Sequence, residues 1–304
     1  MDRRQIAYVL KVAEAKSFSQ AAKQLYISQP SLSQYIINIE KQLGASLFDR
    51  GTTPLTLTLA GEKYVATASK ILALEAELDQ EIADIAQLKK GRLTIGSSPF
   101  RSTHFLPQIL PRFKAKFPGV EIVLAEGMTA ELEMLALNGQ TDFSIGLLPV
   151  DENLFHYEPI FTEEIVAAIP ASHPLSQEYG KCKSKKVRPQ ISLTALKDQP
   201  FIMVKSGQRL HQRILDLCAA VGFKPRITLE SQSMESTEAL VAAGLGVTLL
   251  PDTLIGRHQL LEPPCYFSLG DPAPTRTAVI LYRKGRYLSR AAREFIDLTK
   301  ELYK

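Results

Sequence analysis

The chain has 304 residues, which exceeds the length of one small domain and predicts two or three folding units. With 45% hydrophobic residues, 22% charged residues and a formal net charge of +4, the composition is typical of a soluble globular protein, and the charge alone does not separate a nucleic-acid binder from a cytosolic enzyme. The cysteines Cys182, Cys218 and Cys265 are far apart and no histidine stands at ligand spacing beside them, so we expect no disulfide framework, no metal and no cofactor.

The first residues differ from a targeting segment. Asp2, Arg3 and Arg4 precede no continuous apolar stretch, so we predict no signal peptide. The longest mostly apolar run, Ala239 to Pro251, is shorter than the roughly 20 residues that span a bilayer. We therefore expect a cytoplasmic protein without membrane contact. Residues 1–70 hold nine basic and five acidic residues, an excess of the sign that phosphate contacts require.

Three helices are predicted in the first 44 residues. Asp2 and Gln5 fit a capping box for a helix that ends near Ala15. Ser17 caps a short second helix. A third helix, residues 29–43, has a proline in its first turn and is stopped by a glycine. A short helix, a tight turn and a longer helix together predict a helix-turn-helix.

The third helix has one apolar and one polar face. Leu32, Ile36, Ile39 and Leu43 form the stripe that we expect to be buried. The polar face offers amides and hydroxyls of the kind that bind base edges in the major groove, although such residues on an isolated helix are more often merely solvated. The candidate DNA-binding residues on this helix and at its start are Ser28, Gln29, Pro30, Ser31, Ser33, Gln34 and Asn38.

A wing is predicted to follow the third helix. Residues 51–54 (Gly-Thr-Thr-Pro) form a turn, and Leu55, Leu57 and Leu59 then alternate with threonines like a short strand. We expect the wing to contact phosphates or the minor groove, which makes this an N-terminal winged helix-turn-helix over residues 1–60. Its candidate contact residues are Arg50, Thr52 and Thr53.

Residues 61–90 are predicted to form one long linker helix. Apolar residues from Val65 to Ile85 keep a spacing of three or four, with acids around them. A single stripe on so long a helix favours burial against a second copy, and the alternative is packing against the chain's own C-terminal domain.

From residue 91 onward, short apolar strands alternate with helices. The strand candidates lie near residues 93–96, 121–125, 143–147, 166–169, 201–204, 227–230, 248–250 and 278–282. This alternation predicts a doubly wound α/β fold with ligands at the carboxyl ends of the strands.

Several loops in this part place hydroxyls directly before a helix. These hydroxyls either cap their helices and do nothing else, or they converge with helix N-termini to form an anion site. Arg101 and Lys205 stand beside two of the loops, which favours a carboxylate or another oxyanion as ligand. The candidate effector-binding residues are Ser98, Phe100, Arg101, Ser102, Thr103, Thr129, Ile145, Ile202, Lys205 and Ser231.

An ordered series of short motifs resembles the LysR-type transcriptional regulator family. The motifs are Ser17 to Ala22, Ser28 to Ser33, Ile39-Glu40, Leu43-Gly44, Leu47 to Arg50 and, in the second half, Phe105-Leu106-Pro107, Asp142 to Gly146 and Ala242 to Val247. The resemblance covers essentially the whole chain. Glutamine stands at position 34, where such proteins often have arginine, and leucine stands at position 59, where proline is frequent.

This resemblance implies a fold and a function. It implies a C-terminal α/β two-lobed domain similar to periplasmic binding proteins, residues 91–304, with lobe one at 91–164 and 268–304 and lobe two at 165–267. It implies a DNA-binding regulator whose residues 29, 30, 33 and 34 lie at double-stranded DNA and whose small-molecule effector, which we expect to be anionic, binds between the lobes. The resemblance also implies dimerisation with a second copy of the chain through the linker helix, assembly to a tetramer, and contact with RNA polymerase.

Two other classes of function are less well supported by the sequence. An enzyme is disfavoured because the chain has no GxSxG, P-loop or HExxH motif and its histidines are scattered. A plain solute-binding protein leaves the first ninety residues unexplained. Basic residues 181–188 are interpreted as a solvated surface loop instead of a second DNA contact.

Overall fold

The structure of the protein is a computed structural model in which residues 2–85, 90–179, 188–257 and 259–303 are described. The chain divides into two compact units. One consists of Met1–Gly91 together with Leu137–Gln140, and the other of Arg92–Ala136 and Thr141–Lys304.

The first unit begins with a three-helix core and a small ribbon. Its elements are α1 (Arg3–Ala15), α2 (Phe18–Gln24), α3 (Gln29–Leu43), β1 (Phe48–Asp49), β2 (Thr56–Leu57) and α4 (Leu59–Ile85). The predicted caps are confirmed: Asp2 and Gln5 form a capping box, Ser17 accepts the Gln20 N–H, and Gly44 ends α3 in a left-handed conformation.

These helices enclose one apolar core. Leu32, Ile36 and Ile39 of α3 are buried against Val9, Val12, Ala21 and Ala22 of α1 and α2, as predicted. The prediction was wrong for Leu43, which is 50% exposed because it is the last residue of α3. The antiparallel ribbon of β1 and β2 pairs Phe48 with Leu57, and Phe48 joins this core. The predicted winged helix-turn-helix is therefore confirmed in its architecture.

The linker helix starts earlier than predicted. Leu59 does not extend the ribbon but opens α4, because the Thr58 hydroxyl accepts the Gly61 N–H at 3.0 Å and caps the first turn. The early part of α4 packs on the three-helix core through Ala60, Tyr64 and Val65. Further along, three apolar side chains on one face are exposed: Leu74 (56%), Leu78 (55%) and Ile82 (56%). Residues 86–89 of the predicted helix lie outside the described residues.

The second unit alternates strands and helices. Its strands are β3 (Lys90–Ser97), β4 (Gly119–Glu126), β5 (Phe143–Leu147), β6 (Phe155–Ile169), β7 (Pro200–Val204), β8 (Arg226–Ser231), β9 (Thr248–Pro251), β10 (Cys265–Ser268) and β11 (Thr275–Arg283). Its helices are α5 (Pro99–His104), α6 (Leu106–Lys116), α7 (Thr129–Leu137), α8 (Pro174–Glu178), α9 (Arg209–Ala220), α10 (Met234–Ala242) and α11 (Arg290–Leu302), with 3₁₀ turns at Leu193–Leu196 and Asp252–Leu254.

Strand β6 belongs to two lobes. Up to Glu164 it pairs antiparallel with β11, and from Ile165 it pairs with β9 and β10. Lobe one contains the sheet order β6-β11-β5-β3-β4, in which only β3 and β5 are described as a parallel pair. Lobe two contains the end of β6 with β9 and β10, and the parallel pair β7 and β8. Each lobe has its own apolar core.

The sequence-based prediction for this unit needs three corrections. The sheet is mixed and not doubly wound in the ordinary sense, because β11 returns antiparallel between β5 and β6. Strand β10 and residues 155–165 of β6 were not predicted. Polar residues interrupt this part of β6, whereas β10 is a four-residue segment, Cys-Tyr-Phe-Ser, that is short and follows two prolines. The short helix α5 (Pro99–His104), which precedes α6 and is separated from it at Phe105, was not predicted.

One end of the basic segment is not a solvated loop. Arg188 binds Glu164 at 2.6 Å through Nη1 and Asp252 at 2.9 Å through Nη2, and its side chain is only 13% exposed. Residues 181–187 lie outside the described residues. Among the described helices, none is both long enough and apolar enough to cross a membrane.

Candidate nucleic-acid interface and ligand cleft

Helix α3 presents an exposed polar face that begins at its N-terminus. The hydroxyl of Ser28 caps the helix by accepting the Ser31 N–H and lies 2.7 Å from the Ser31 hydroxyl. Gln29, Pro30 and Ser31 are exposed at the first turn. Pro30 has no N–H and the Ser31 N–H is bonded to Ser28, so in this turn the Gln29 N–H and the positive end of the helix dipole favour contact with a phosphate.

Two amides on this face are linked. Gln34 donates through Nε2 to Asn38 Oδ1 at 3.1 Å, one helical turn further on, and both side chains are exposed. Ser33, between the first turn and Gln34, is partly buried. This bond does not use the Gln34 carbonyl or the Asn38 amino group, and an acceptor with a donor is the set that can bind an adenine edge.

The wing is fastened to α3 by a single carboxylate. Glu40 accepts the backbone N–H groups of Leu47 (2.8 Å) and Phe48 (3.2 Å) through Oε1, and Arg50 Nη2 through Oε2 at 3.0 Å. Arg50 also lies over the ring of Phe18 at 5.2 Å. The predicted contact residue Arg50 therefore positions the wing through these bonds while 40% of its side chain remains exposed.

The wing threonines have different surroundings. The Thr52 hydroxyl bonds the Asp49 carbonyl and the Thr56 hydroxyl, so it shapes the turn. Thr53 is exposed at the tip.

Tyr26 is an exposed aromatic residue close to α3 in sequence that is not among the predicted DNA-binding residues. It lies in the turn before α3 with φ of 55°, a left-handed conformation that disfavours most side chains, and its side chain is 94% exposed. A tyrosine in a turn gives no sequence signal for such a position. The structure places it beside the exposed first turn of α3.

The ligand cleft lies between the lobes of the second unit. It contains about 450 Å³ of space, open solvent included. Residues from the carboxyl ends of β3, β4 and β5 form one wall, as the α/β prediction requires, and Met234 of α10 comes from lobe two. The lining residues are Ser98, Phe100, Arg101, Thr129, Leu132, Glu133, Ile145, Gly146, Leu147, Met234, Arg276 and Leu281.

Two arginines at the cleft share one buried carboxylate. Arg101 binds Glu163 through both terminal nitrogens, and Arg276 Nε binds Glu163 Oε1 at 2.6 Å. Burial acts to raise the pKa of Glu163, but Arg276 and Arg101 outweigh it and hold the pKa at about 2. The Thr253 hydroxyl also donates to Glu163. Two cations and one anion leave the cluster with an excess positive charge beside the cleft.

Two further contacts join the lobes. Arg209 of lobe two donates to the carbonyls of Leu147 (2.6 Å) and Pro149 (2.5 Å) and to Glu133 (2.5 Å) of lobe one. His104 of lobe one lies 2.7 Å from Glu235 of lobe two.

Five of the ten predicted effector-binding residues line the cleft. These are Ser98, Phe100, Arg101, Thr129 and Ile145. The Ser98 hydroxyl also caps α5.

The other five are placed elsewhere. Ile202 is fully buried in β7, Lys205 and Thr103 are exposed, and the Ser231 hydroxyl accepts the Ser233 N–H. The Ser102 hydroxyl is buried in α5 without a hydrogen-bond partner among the described residues.

Three of the seven cleft residues that were missed come from segments whose partners are distant in sequence. Arg276 reaches the cleft only because β11 pairs with β6, and Glu133 and Leu132 because α7 packs beside β5. Gly146 belongs to the motif Asp142 to Gly146 but was not singled out as a ligand contact, and Leu147, Leu281 and Met234 belong to none of the motifs.

The described cysteines are buried. Cys218 is fully buried and Cys265 is 9% exposed, and neither forms a disulfide. Burial raises the pKa of the Cys218 thiol to about 11. Within the described residues, no group of three histidine, cysteine or carboxylate side chains could hold a metal ion.

Two family models together cover nearly the whole chain. "LysR substrate binding domain" matches residues 86–304, and "Bacterial regulatory helix-turn-helix protein, lysR family" matches residues 3–62. Among curated proteins, an uncharacterized HTH-type transcriptional regulator, YcgK of Bacillus subtilis, is 31% identical over 100% of this chain and 95% of its own length.

A second relative and a solved structure match over a similar span. A hydrogen peroxide-inducible genes activator of Dickeya chrysanthemi is 28% identical over 99% of this chain and 95% of its own length. The structure of full-length CbnR complexed with its target DNA superposes with a TM-score of 0.71 over 99% of both chains, at 21% identity. At that identity the superposition shows a shared fold.

Proposed function

The chain belongs to the LysR family of DNA-binding transcriptional regulators, and we propose that it binds DNA as a dimer under the control of a small anionic effector held between its two lobes. The observation that carries the proposal is that one chain contains both an exposed amide face on α3 and a cleft beside a cluster with excess positive charge.

Base recognition is assigned to α3. The exposed Gln29, Gln34 and Asn38 supply hydrogen-bond groups for base edges, whereas Ser28, Ser31 and the wing tip Thr53 supply phosphate contacts. Pro30 and Ser33 complete the same surface. Glu40 holds the wing at a fixed distance from α3, so the two elements meet adjacent grooves together.

Dimer formation is assigned to α4. Leu74, Leu78 and Ile82 are spaced by four residues and expose one apolar stripe, which a second copy of the helix would bury. A two-fold dimer presents two α3 helices to the two halves of a symmetric DNA site. Assembly to a tetramer, contact with RNA polymerase and action in the cytoplasm are further expectations of this proposal.

An anionic effector is favoured by the cleft's charge. Ser98 and Thr129 stand at the N-termini of α5 and α7, and the Arg101, Arg276 and Glu163 cluster leaves one positive charge uncompensated. Phe100, Ile145 and Leu132 provide an apolar wall for the rest of the ligand.

Thiol-based sensing of peroxide, suggested by the name of one relative, is not supported by the described cysteines. Cys218 is fully buried and its raised pKa disfavours the reactive thiolate. A regulatory role without catalysis is supported by relatives that are named transcriptional regulators.

Selection of genomic DNA tests the proposal. The purified protein is incubated with genomic fragments at near-physiological salt, and the bound fragments are sequenced. We expect a motif with two-fold symmetry, bound with an affinity that falls steeply as salt rises. Recovery of no motif, with binding that vanishes at moderate salt, would leave only non-specific affinity and would overturn the proposal.

A further inference from the structure

We propose that Arg209 is the receptor for the anionic group of the effector and that Glu133 is an internal carboxylate that the effector displaces. This inference rests on the proposed function, because it assigns residues at the same cleft. It adds the chemical class of the ligand group, a carboxylate or similar oxyanion, and the side chain that it must compete with.

Arg209 is bound across the lobes. It is the first residue of α9 in lobe two, and its three hydrogen-bond acceptors all belong to lobe one: the carbonyl oxygens of Leu147 and Pro149 on Nη1, and Glu133 Oε1 on Nη2. Leu147 and Glu133 both line the cleft. The Arg209 guanidinium therefore binds two residues that line the cleft, and one of its partners, Glu133, is already a carboxylate.

The other two arginines at the cleft are poorly suited to receive a ligand. The side chains of Arg101 and Arg276 are 6% and 7% exposed, and the Glu163 side chain between them is 0% exposed. Removing Glu163 from either arginine would leave buried charges without a partner, which is strongly unfavourable. These three residues supply a positive field but keep their own bonds.

Replacing Glu133 on Arg209 by a ligand carboxylate costs much less free energy than removing Glu163 from Arg101 or Arg276. The side chains of Arg209 and Glu133 are 27% and 29% exposed, so Glu133 can turn into solvent when another carboxylate takes its place. The exchange replaces one charge-assisted hydrogen bond with another and preserves the charge balance of the site. The two carbonyl bonds of Nη1 hold the guanidinium in place throughout.

The exchange also links the ligand to the lobes. A carboxylate on Arg209 with its apolar part against Ile145 and Leu132 would be held by both lobes at once, while α7 would lose its own tie to α9. The ligand thus has different contacts in the two arrangements of the lobes, which is the condition for shifting their populations.

Simple carboxylates serve as probes on the full-length protein. Acetate and succinate are titrated as sodium salts against sodium chloride at constant ionic strength, for wild type, Glu133→Gln and Arg209→Ala, with binding followed by calorimetry and by thermal unfolding. We expect Glu133→Gln to bind succinate on the order of tenfold more tightly than wild type, because the internal competitor loses its charge. Arg209→Ala should bind it at least about tenfold more weakly.

Matched variants control for net charge and for folding. Glu131→Gln on the same helix and Arg213→Ala on α9, both at exposed positions, change the net charge by the same amount and should behave as wild type. If Arg209→Ala unfolds, Arg209→Lys keeps the charge but cannot bond three acceptors, and it should also bind more weakly.

Equal carboxylate affinity in wild type, Glu133→Gln and Arg209→Ala would overturn the proposal, and so would no carboxylate response in any of the three. The selection of genomic DNA distinguishes failure of the Arg209 proposal from failure of the proposed DNA-binding function. If a symmetric motif is recovered while carboxylates have no effect, Arg209 is not the receptor and the DNA-binding function stands. If no motif is recovered, the proposed function itself fails.

Discussion

Arg276 and Glu163 are register partners on β11 and β6, and Arg276 Nε lies 2.6 Å from Glu163 Oε1, one residue before β6 leaves lobe one for lobe two. The same pair thus borders the cleft and the crossing between the lobes. A change in lobe arrangement would alter the surroundings of this ion pair, since Thr253 of lobe two and Arg101 of lobe one both bind the same carboxylate.

Glu163 should make the protein sensitive to acid. Its pKa in the folded protein is about 2, below the ordinary value of 4.5, so it stabilises the fold fully above about pH 4.5 and progressively less as the pH falls toward 2. The shift corresponds to about 3 kcal/mol at neutral pH. Glu163→Gln should therefore lower the free energy of unfolding by about 3 kcal/mol at pH 7 and should flatten its pH dependence between 4.5 and 2. Urea unfolding at several pH values measures both effects.

Glu121→Gln is the control for this experiment. Glu121 pairs with Arg92 on the surface at 2.9 Å, where 60% and 63% of the two side chains are exposed, so its loss should change stability little. If Glu163→Gln left the acid dependence of unfolding unchanged, the assignment of a low pKa to Glu163 would be incorrect.

Gly61 should be sensitive to the smallest side chain. A Cβ at this position would lie 2.0 Å from the backbone oxygen of Leu47, closer than any van der Waals contact allows. Gly61→Ala should destabilise the first unit by about 1–3 kcal/mol and displace the ribbon from α4, in spite of alanine's better helix propensity. The midpoint temperature of thermal unfolding and the affinity for DNA should both fall. Ala66→Gly, an exposed position one turn further along α4, should cost no more than about 1 kcal/mol.

Leu78 should decide whether the chain dimerises through α4. Leu78→Glu places a charge in the exposed apolar stripe and should raise the dimer dissociation constant by about two orders of magnitude, as measured by sedimentation equilibrium. Ala76→Glu adds the same charge to an exposed position on the opposite face of the helix and should have little effect. Equal dissociation constants for the two variants would contradict dimerisation through this stripe.

The first unit could be predicted from the sequence almost entirely, because its signals are local. A side-chain cap within three residues of each helix start and a left-handed glycine after α3 specify the helix ends without reference to distant residues. Leu59 was assigned to a strand because its alternation with threonines continues past the cap at Thr58.

In the second unit, most of the strands that could be predicted are apolar, although the short apolar strand β10 was not predicted. Residues 155–165 of β6 are a strand because β11 pairs with them, and the sequence between Phe155 and Glu164 contains no run of apolar residues. Five residues predicted to bind an effector, Ser98, Phe100, Arg101, Thr129 and Ile145, line one cleft, and their effector-binding role stays a prediction. The bond from Arg209 to Glu133 joins residues 76 positions apart and leaves no signal in either segment.

The most direct test of DNA recognition by α3 is a base-substitution scan of the selected DNA site with wild type and Gln34→Ala. We expect Gln34→Ala to lose about 1–3 kcal/mol of discrimination at one base position in each half-site, while affinity for non-specific DNA stays the same. Gln42→Ala removes an exposed amide from the far end of α3 and should keep the wild-type preference. If Gln34→Ala instead weakened binding to every sequence equally, Gln34 would contact only the backbone, and the base-reading role assigned to this face of α3 would be contradicted.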